Sequence, residues 1–414
     1  MLLHSLGGGD SIMIGAFTLS NMGPQEHRKG LGSGWITFLW VLWAALLVAG
    51  LIGVWQRLMY GHNPAGYGSY VPWGLWIGLY FMGVAIAGGA FVFGAIGYVL
   101  GWPCFRRPDA LRIAIVVSLA AILPAFTAVW LDLGRMDRLY LVLTSATFTS
   151  MMAFNAWMYN VFVVVAALCW LLSFAGRSVW LKPLLCLGAF LSIIFPSQSG
   201  VFFEAVATKE YWNSPLLSML FLSSAAAAGA GALLLVRVIL GPLGAKDEKT
   251  VEEHNQGLRI LRLITVAGLI AYLVFEFAEI SIEVWSPGRA SVPVQFLVTG
   301  GYWWVFWILQ LAIGAGVPLL LYVFSENKKA WAVGTLFLMF GFVAARMGIL
   351  VPGQIEEQIH GLEQAFQDMR LVYSYHPTLT EYLVGAFLVA MGMAVFYVGL
   401  RLTSAVGSRS GQEV

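Results

Sequence analysis

Charge is scarce in this sequence. Of its 414 residues, 11% are Asp, Glu, Lys or Arg, and 59% are hydrophobic. A water-soluble domain carries about a quarter charged residues. A protein this poor in charge has too little polar surface to cover its apolar surface against water, so its solvent is lipid. Net charge is +2, which gives no footing to a nucleic-acid partner. Cysteine is nearly missing. Cys104, Cys169 and Cys186 are widely spaced, with no CxxC or CxxCH. A disulfide framework, an iron–sulfur cluster and a c-type haem are therefore not expected in this chain. Histidine is missing where it would count most. The six are His4, His27, His62, His254, His360 and His376, and none lies inside a long apolar run. An intramembrane b-type haem needs such ligands, so no haem and no metal site are expected. The first thirty-odd residues have no basic stretch ahead of an apolar one, so no cleaved signal peptide is expected.

What is present is length without interruption. Ten runs are long enough to cross a bilayer as helices, at about 35–55, 73–100, 112–131, 151–174, 183–203, 215–236, 263–285, 296–324, 330–350 and 380–400. Lipid offers the backbone no hydrogen bonds, so the fold class is an all-α polytopic membrane protein with ten transmembrane helices. Of the 23 Lys and Arg, seven fall in the odd-numbered loops and their helix ends: Arg57, Arg135, Arg138, Lys209, Arg289, Arg346 and Arg370. The other sixteen fall at the termini and even-numbered loops, which predicts both termini in the cytoplasm. The odd loops then face outward.

A weak internal repeat subdivides the protein. LYFMGVAIAGGAFVFG from Leu79 resembles LFLSSAAAAGAGALLLV from Leu220 at an offset of 141, and Phe195-Pro196-Ser197-Gln198 resembles Val351-Pro352-Gly353-Gln354. The expectation is two four-helix bundles, helices 2–5 and 6–9, flanked by helices 1 and 10. The division runs 1–34 as a cytoplasmic segment, 35–72 as helix 1 and an outer loop, and 73–204 as the first bundle. It continues with 205–352 as the second bundle, 353–378 as an outer loop, and 379–414 as helix 10 and a cytoplasmic tail. In the outer loop Ile355, Ile359, Leu362, Phe366 and Met369 recur at helical spacing, which predicts an amphipathic helix. Small-xxx-small pairs such as Ala85 and Gly89 predict close helix packing.

Polar residues gather at the outward ends of the first bundle. Trp130–Tyr159 carries Asp132, Arg135, Asp137 and Arg138 between two apolar runs, then Asn155 and Tyr159 on one helix face. Trp73, Trp76 and Tyr80 fall at i, i+3 and i+7 on helix 2, and Gln198 and Glu204 end helix 5 beyond Pro196. Singly, each is an ordinary helix-end residue. Together they suit a flat apolar head group with two carbonyl oxygens and a long tail, which describes a quinone. Quinone reduction takes two protons, and Asp132 and Tyr159 are the candidates to exchange them. In helix 7, Glu276, Glu279 and Glu283 share a face, and Arg346 of helix 9 is the candidate partner of Glu276. Two readings of Glu276 stand level: a proton relay, or a buried ion pair that fixes helix register.

The run PWGLWIGLYFMGVAIAGGAF, the LDLGR that ends helix 3, and the ten-span length ending in YHPTLTEYLVGAFLVAMGMAVFYVGLRL resemble the NrfD/PsrC family of integral membrane subunits. The resemblance implies a respiratory oxidoreductase complex of the bacterial cytoplasmic membrane. It implies a menaquinone or ubiquinone site near the outer face of the first bundle, with Asp132, Arg135, Trp73 and Trp76 at the motif positions. A ferredoxin-like iron–sulfur subunit is then expected on the outer face, with further periplasmic redox subunits of molybdopterin or multihaem cytochrome type. Some members of the family carry a histidine on the first bundle helix near the quinone, and this protein has none there. Two competing readings remain: a secondary transporter, which shares the repeat and the buried polar residues, and a membrane anchor with no quinone site of its own.

Overall fold

The computed structural model describes residues 33–410, apart from 146, 148, 176–177, 243–247, 286–290, 358, 360, 366–367 and 369. The expectations for the N-terminal 1–32, Arg289, His360, Phe366 and Met369 lie outside the described residues. Among the described residues there is helix and no strand. Ten helices are long and apolar enough to cross a membrane. They are α1 (Ser33–Tyr60), α2 (Leu75–Val99), α3 (Pro108–Asp132), α4 (Met151–Leu172) and α5 (Leu181–Glu204). The rest are α6 (Leu216–Leu240), α7 (Glu248–Trp285), α8 (Val305–Phe324), α9 (Lys328–Ile355) and α10 (Leu379–Ser410).

Alternating passes bring the ends of α1, α3, α5, α7 and α9 together with the starts of α2, α4, α6, α8 and α10. This is called the Asp132 end below. α2 is the hub: it packs on α3, α5, α6, α9 and α10. α6 in turn carries α7, α9 carries α8, and α1 lies against α10. Missing side chains make these contacts possible. A Cβ on Gly89 would lie 2.0 Å from the Ala225 carbonyl oxygen, and one on Gly229 would lie 2.2 Å from the Gly89 backbone. α2 and α6 therefore touch backbone to backbone, one residue away from positions equated by the repeat. Gly314 of α8 and Gly341 of α9 meet in the same way. In lipid, such van der Waals contact is what holds helices together.

Three expectations change. The apolar run at 296–324 is not one helix. A short helix, Ser291–Val298, and a turn precede α8, whose first twelve residues, Val305–Gly316, are π-helical. α7 begins fifteen residues ahead of its apolar run, because the polar stretch from Glu248 continues the same helix. The amphipathic helix of the long outer loop shrinks. Ile355 ends α9, Glu356 and Glu357 are not helical, and among the described residues of the loop helix returns at Leu362–Ala365. Glu356 sits buried beside Lys209, whose ammonium donates to its main-chain oxygen at 2.7 Å. That tertiary contact draws the backbone out of helix where periodicity alone would continue it.

Candidate functional site

Asp132 is the last residue of α3, and its surroundings come from α1, α2 and α10. The buried Arg57 guanidinium donates to the carbonyl oxygens of Leu131 (2.6 Å) and Leu133 (2.7 Å), which satisfies the carbonyl end of α3. Tyr67, in the loop between α1 and α2, donates its hydroxyl to Asp132 Oδ1 at 3.0 Å. Burial and the adjacent Asp132 raise the Tyr67 pKa, so it stays a donor. The ring of Tyr67 stands edge-on to fully buried Trp76, 5.8 Å between centroids. His62 lies 5.4 Å from the Tyr67 ring, close to the Asp132 main chain.

Glu381 holds this arrangement shut. It is fully buried at the start of α10. Its carboxylate accepts from Gly66 N (2.8 Å), Thr378 N (3.2 Å), Leu75 N (3.4 Å) and the Tyr375 hydroxyl. Thr378 and Glu381 form the N-terminal box of α10, and the same carboxylate ties down the loop before α2. These donors replace the water that a buried carboxylate would otherwise lack.

A second cluster lies between α2, α4 and α5. Ser199 gives its hydroxyl proton to the Phe195 carbonyl (3.0 Å), so Tyr159 is the donor in their 2.9 Å bond. Tyr80 stands edge-on to Tyr159 at 6.1 Å, and Phe126 and Phe195 complete an aromatic wall. Asn155, one turn before Tyr159, donates to the Gln198 carbonyl at 3.4 Å. Its own carbonyl Oδ1 is buried and has no partner. Buried polar atoms are nearly always paired, so an unpaired acceptor marks a place where a donor belongs.

A third cluster sits deeper, between α7, α8 and α9. Tyr272 donates to Glu276 Oε1 at 2.8 Å, and Gln310 of the π-helical segment donates to the same oxygen. Glu276 and Arg346 do not form the expected ion pair. Arg346 instead donates to Ser224 and stacks on Phe221, 3.8 Å from the ring centroid. Glu276 Oε2 and two of the Arg346 nitrogens are left without partners. Further along α7, Glu279 accepts from Ser214 at 2.6 Å. Glu283 is 6% exposed.

The remaining sequence candidates scatter. Trp73 precedes α2 because Gly74 is extended, so helical spacing does not carry Trp73 onto the face of Trp76 and Tyr80. Its ring stacks on Trp212 at 6.0 Å, and the Gln354 amide clamps its main chain. Trp76 faces α10, where its indole donates to the Glu381 carbonyl. Arg135 is exposed and pairs with Asp137 at 3.2 Å, not with Asp132. Glu204 accepts from Ser218 N at 2.8 Å and so caps α6. His62, Tyr67, Arg57, Glu381, Tyr272 and Gln310 are the participants that sequence reading misses. Only Glu381 carries a local signal, the Thr378-x-x-Glu381 box. Among the described residues, no three His, Cys, Asp or Glu side chains converge as a metal site.

Ten helices long and apolar enough to cross a membrane, with buried polar clusters between them, define a multi-pass membrane protein. The family described as "Polysulphide reductase, NrfD" matches residues 64–356, and the chain belongs to that family. The match runs from just before α2 to the end of α9, leaving α1, His62 and α10 outside it. The protein is 24% identical over 398 residues to the C subunit of selenate reductase from Mesobacillus selenatarsenatis, with 86% of this sequence and 91% of that one aligned. It is 27% identical over 361 residues to the Hdr-like menaquinol oxidoreductase integral membrane subunit of Archaeoglobus fulgidus, with 84% and 89% aligned. Protein NrfD of Escherichia coli is 24% identical over 272 residues, with 59% and 83% aligned. This is an integral membrane subunit of the type found in such redox complexes.

Proposed function

We propose that this protein binds quinone or quinol at the Asp132 end of α2–α5 and exchanges its electrons with an iron–sulfur partner subunit. The observation that carries the reading is the Asn155 Oδ1 atom, a buried acceptor with no donor, set beside the Tyr159 hydroxyl and an aromatic wall. A quinol hydroxyl supplies the missing donor, and the Tyr159 oxygen, whose own proton goes to Ser199, is a second acceptor beside it. The similarity to a subunit named for menaquinol makes menaquinone the first candidate. Asp132, half-buried beside Tyr67, serves as the proton-exchanging carboxylate of the same end.

In this reading the complex lies in the bacterial cytoplasmic membrane with both termini inside and the Asp132 end outward. A ferredoxin-like subunit docks over the exposed loop of Arg135, Asp137, Arg138 and Tyr140. Further periplasmic redox subunits, of molybdopterin or multihaem type, connect to it. Glu276 and Glu279 line a proton route through the second half, with Glu283 and Arg346 beside them.

The test is turnover of a soluble menaquinol analogue by the purified complex. Tyr159→Phe and Asp132→Asn should each lower it by about tenfold or more, with the full set of subunits still present. Full turnover in both variants would sink the pocket.

A further inference from the structure

We propose that His62, from the loop between α1 and α2, is a proton-accepting contact of the quinol at the Asp132 edge of the site. This rests on the quinone reading above but not on the family pattern, since His62 precedes the matched segment.

The argument is an inventory of donors. His62 Nε2 is buried and has no hydrogen-bond partner. The Asp132 main chain lies close to the ring. A neutral imidazole carries one N–H and one lone pair, and with the hydrogen on Nδ1 the buried Nε2 presents the lone pair. Several of the donors around it are committed elsewhere. The Tyr67 hydroxyl goes to Asp132 Oδ1, and the Trp76 indole goes to the Glu381 carbonyl. Arg57 spends Nε and Nη2 on the end of α3, and Arg370 donates to Asn63. The ring is walled by Tyr67 at 5.4 Å and Trp76 at 6.3 Å, the apolar surroundings that a flat head group also needs. A phenolic O–H is the donor that fits. The groups facing His62 are Arg57 from α1, Tyr67 from its own loop, Asp132 from α3, and Arg370 from the loop before α10. Burial and the cations Arg57 and Arg370 depress its pKa, so the ring is neutral and ready to accept at pH 7.

The chemistry balances. Oxidation of a quinol to the quinone releases two electrons and two protons. The electrons pass to the iron–sulfur partner. One hydroxyl proton moves to Nε2, and the resulting imidazolium lies beside the Asp132 main chain. The other proton passes to the Asp132 carboxylate, the proton-exchanging group of the same end. In the reverse direction the imidazolium returns its proton.

The experiment uses the intact complex, with quinol-analogue turnover measured from pH 5 to 8 alongside binding of a fluorescent quinone analogue. His62→Gln should lower turnover by about a hundredfold and keep analogue affinity within a few-fold. The wild-type rate should fall as pH drops through the depressed His62 pKa, because protonated Nε2 cannot accept. The variant should lose that acid limb. His62→Ala should recover part of its rate with added imidazole, a response that a structural role does not produce. Unchanged turnover and an unchanged acid limb in His62→Gln overturn the proposal while quinone binding stands. Failure of imidazole to restore any rate overturns it too. If the wild-type complex binds no analogue, the quinone reading falls, and this inference with it.

Discussion

Tyr67 and Glu276 show how much rests on one side chain when water is absent. Tyr67→Phe removes a hydroxyl and little else, and leaves the half-buried Asp132 carboxylate without that donor. The expected loss is about 1–3 kcal/mol, read as a lower unfolding temperature of the detergent-solubilised complex. Glu276→Gln keeps the size of the side chain and removes the proton it could carry. Proton translocation per electron in proteoliposomes should drop while quinol-analogue affinity holds. Unchanged charge translocation would remove Glu276 from the route. The two residues also differ in how far the sequence announces them. A carboxylate in an apolar run is visible from composition, so Glu276 stands out. Its partners Tyr272 and Gln310 do not, because the bond to Gln310 depends on α8 lying beside α7. His62 is harder still. It sits in a polar loop where histidine is unremarkable, and only the fold lays it against Tyr67, Trp76 and Asp132.

Helices are the most legible part of the sequence, and helix ends the least. All ten spans follow from uninterrupted apolar length, because lipid leaves the backbone no alternative to helix. The ends are decided by contacts that local pattern does not encode. Glu356 leaves helix where it meets Lys209, and Trp73 misses the face of Tyr80 because Gly74 is extended. The packing of elements is partly legible, since small-residue stripes on α2 and α6 forecast close approach. Gly229→Leu forces a side chain into the backbone of α2 and should abolish accumulation of the complex in membranes. Gly134→Ala, where a Cβ would meet nothing within 4 Å, is the matched control and should accumulate normally. Equal accumulation of the two would show that the α2–α6 contact is dispensable.

At the scale of the molecule, ten passes among the described residues would put the start of α1 and the end of α10 on one side of the membrane. The bias of Lys and Arg predicts that side to be the cytoplasm. Fluorescent-protein fusions, which mature only in the cytoplasm, should glow at either terminus. Periplasmic alkaline-phosphatase fusions at residue 137 should be active. The opposite pattern would invert the orientation and move the proposed iron–sulfur docking face to the cytoplasm.

The Glu381 carboxylate has a consequence for how the protein comes into being. Membrane helices enter the bilayer in the order in which they are made, and α10 is the last of the ten. Until it arrives, Gly66 and Leu75 have no carboxylate to donate to, and the loop carrying His62 and Tyr67 is not fixed against Asp132. The proposed site is thus completed by α10, hundreds of residues after its first components leave the ribosome. A nascent chain arrested before residue 379 would hold nine spans and lack the Glu381 carboxylate, so quinol-analogue turnover is expected only once α10 is in place.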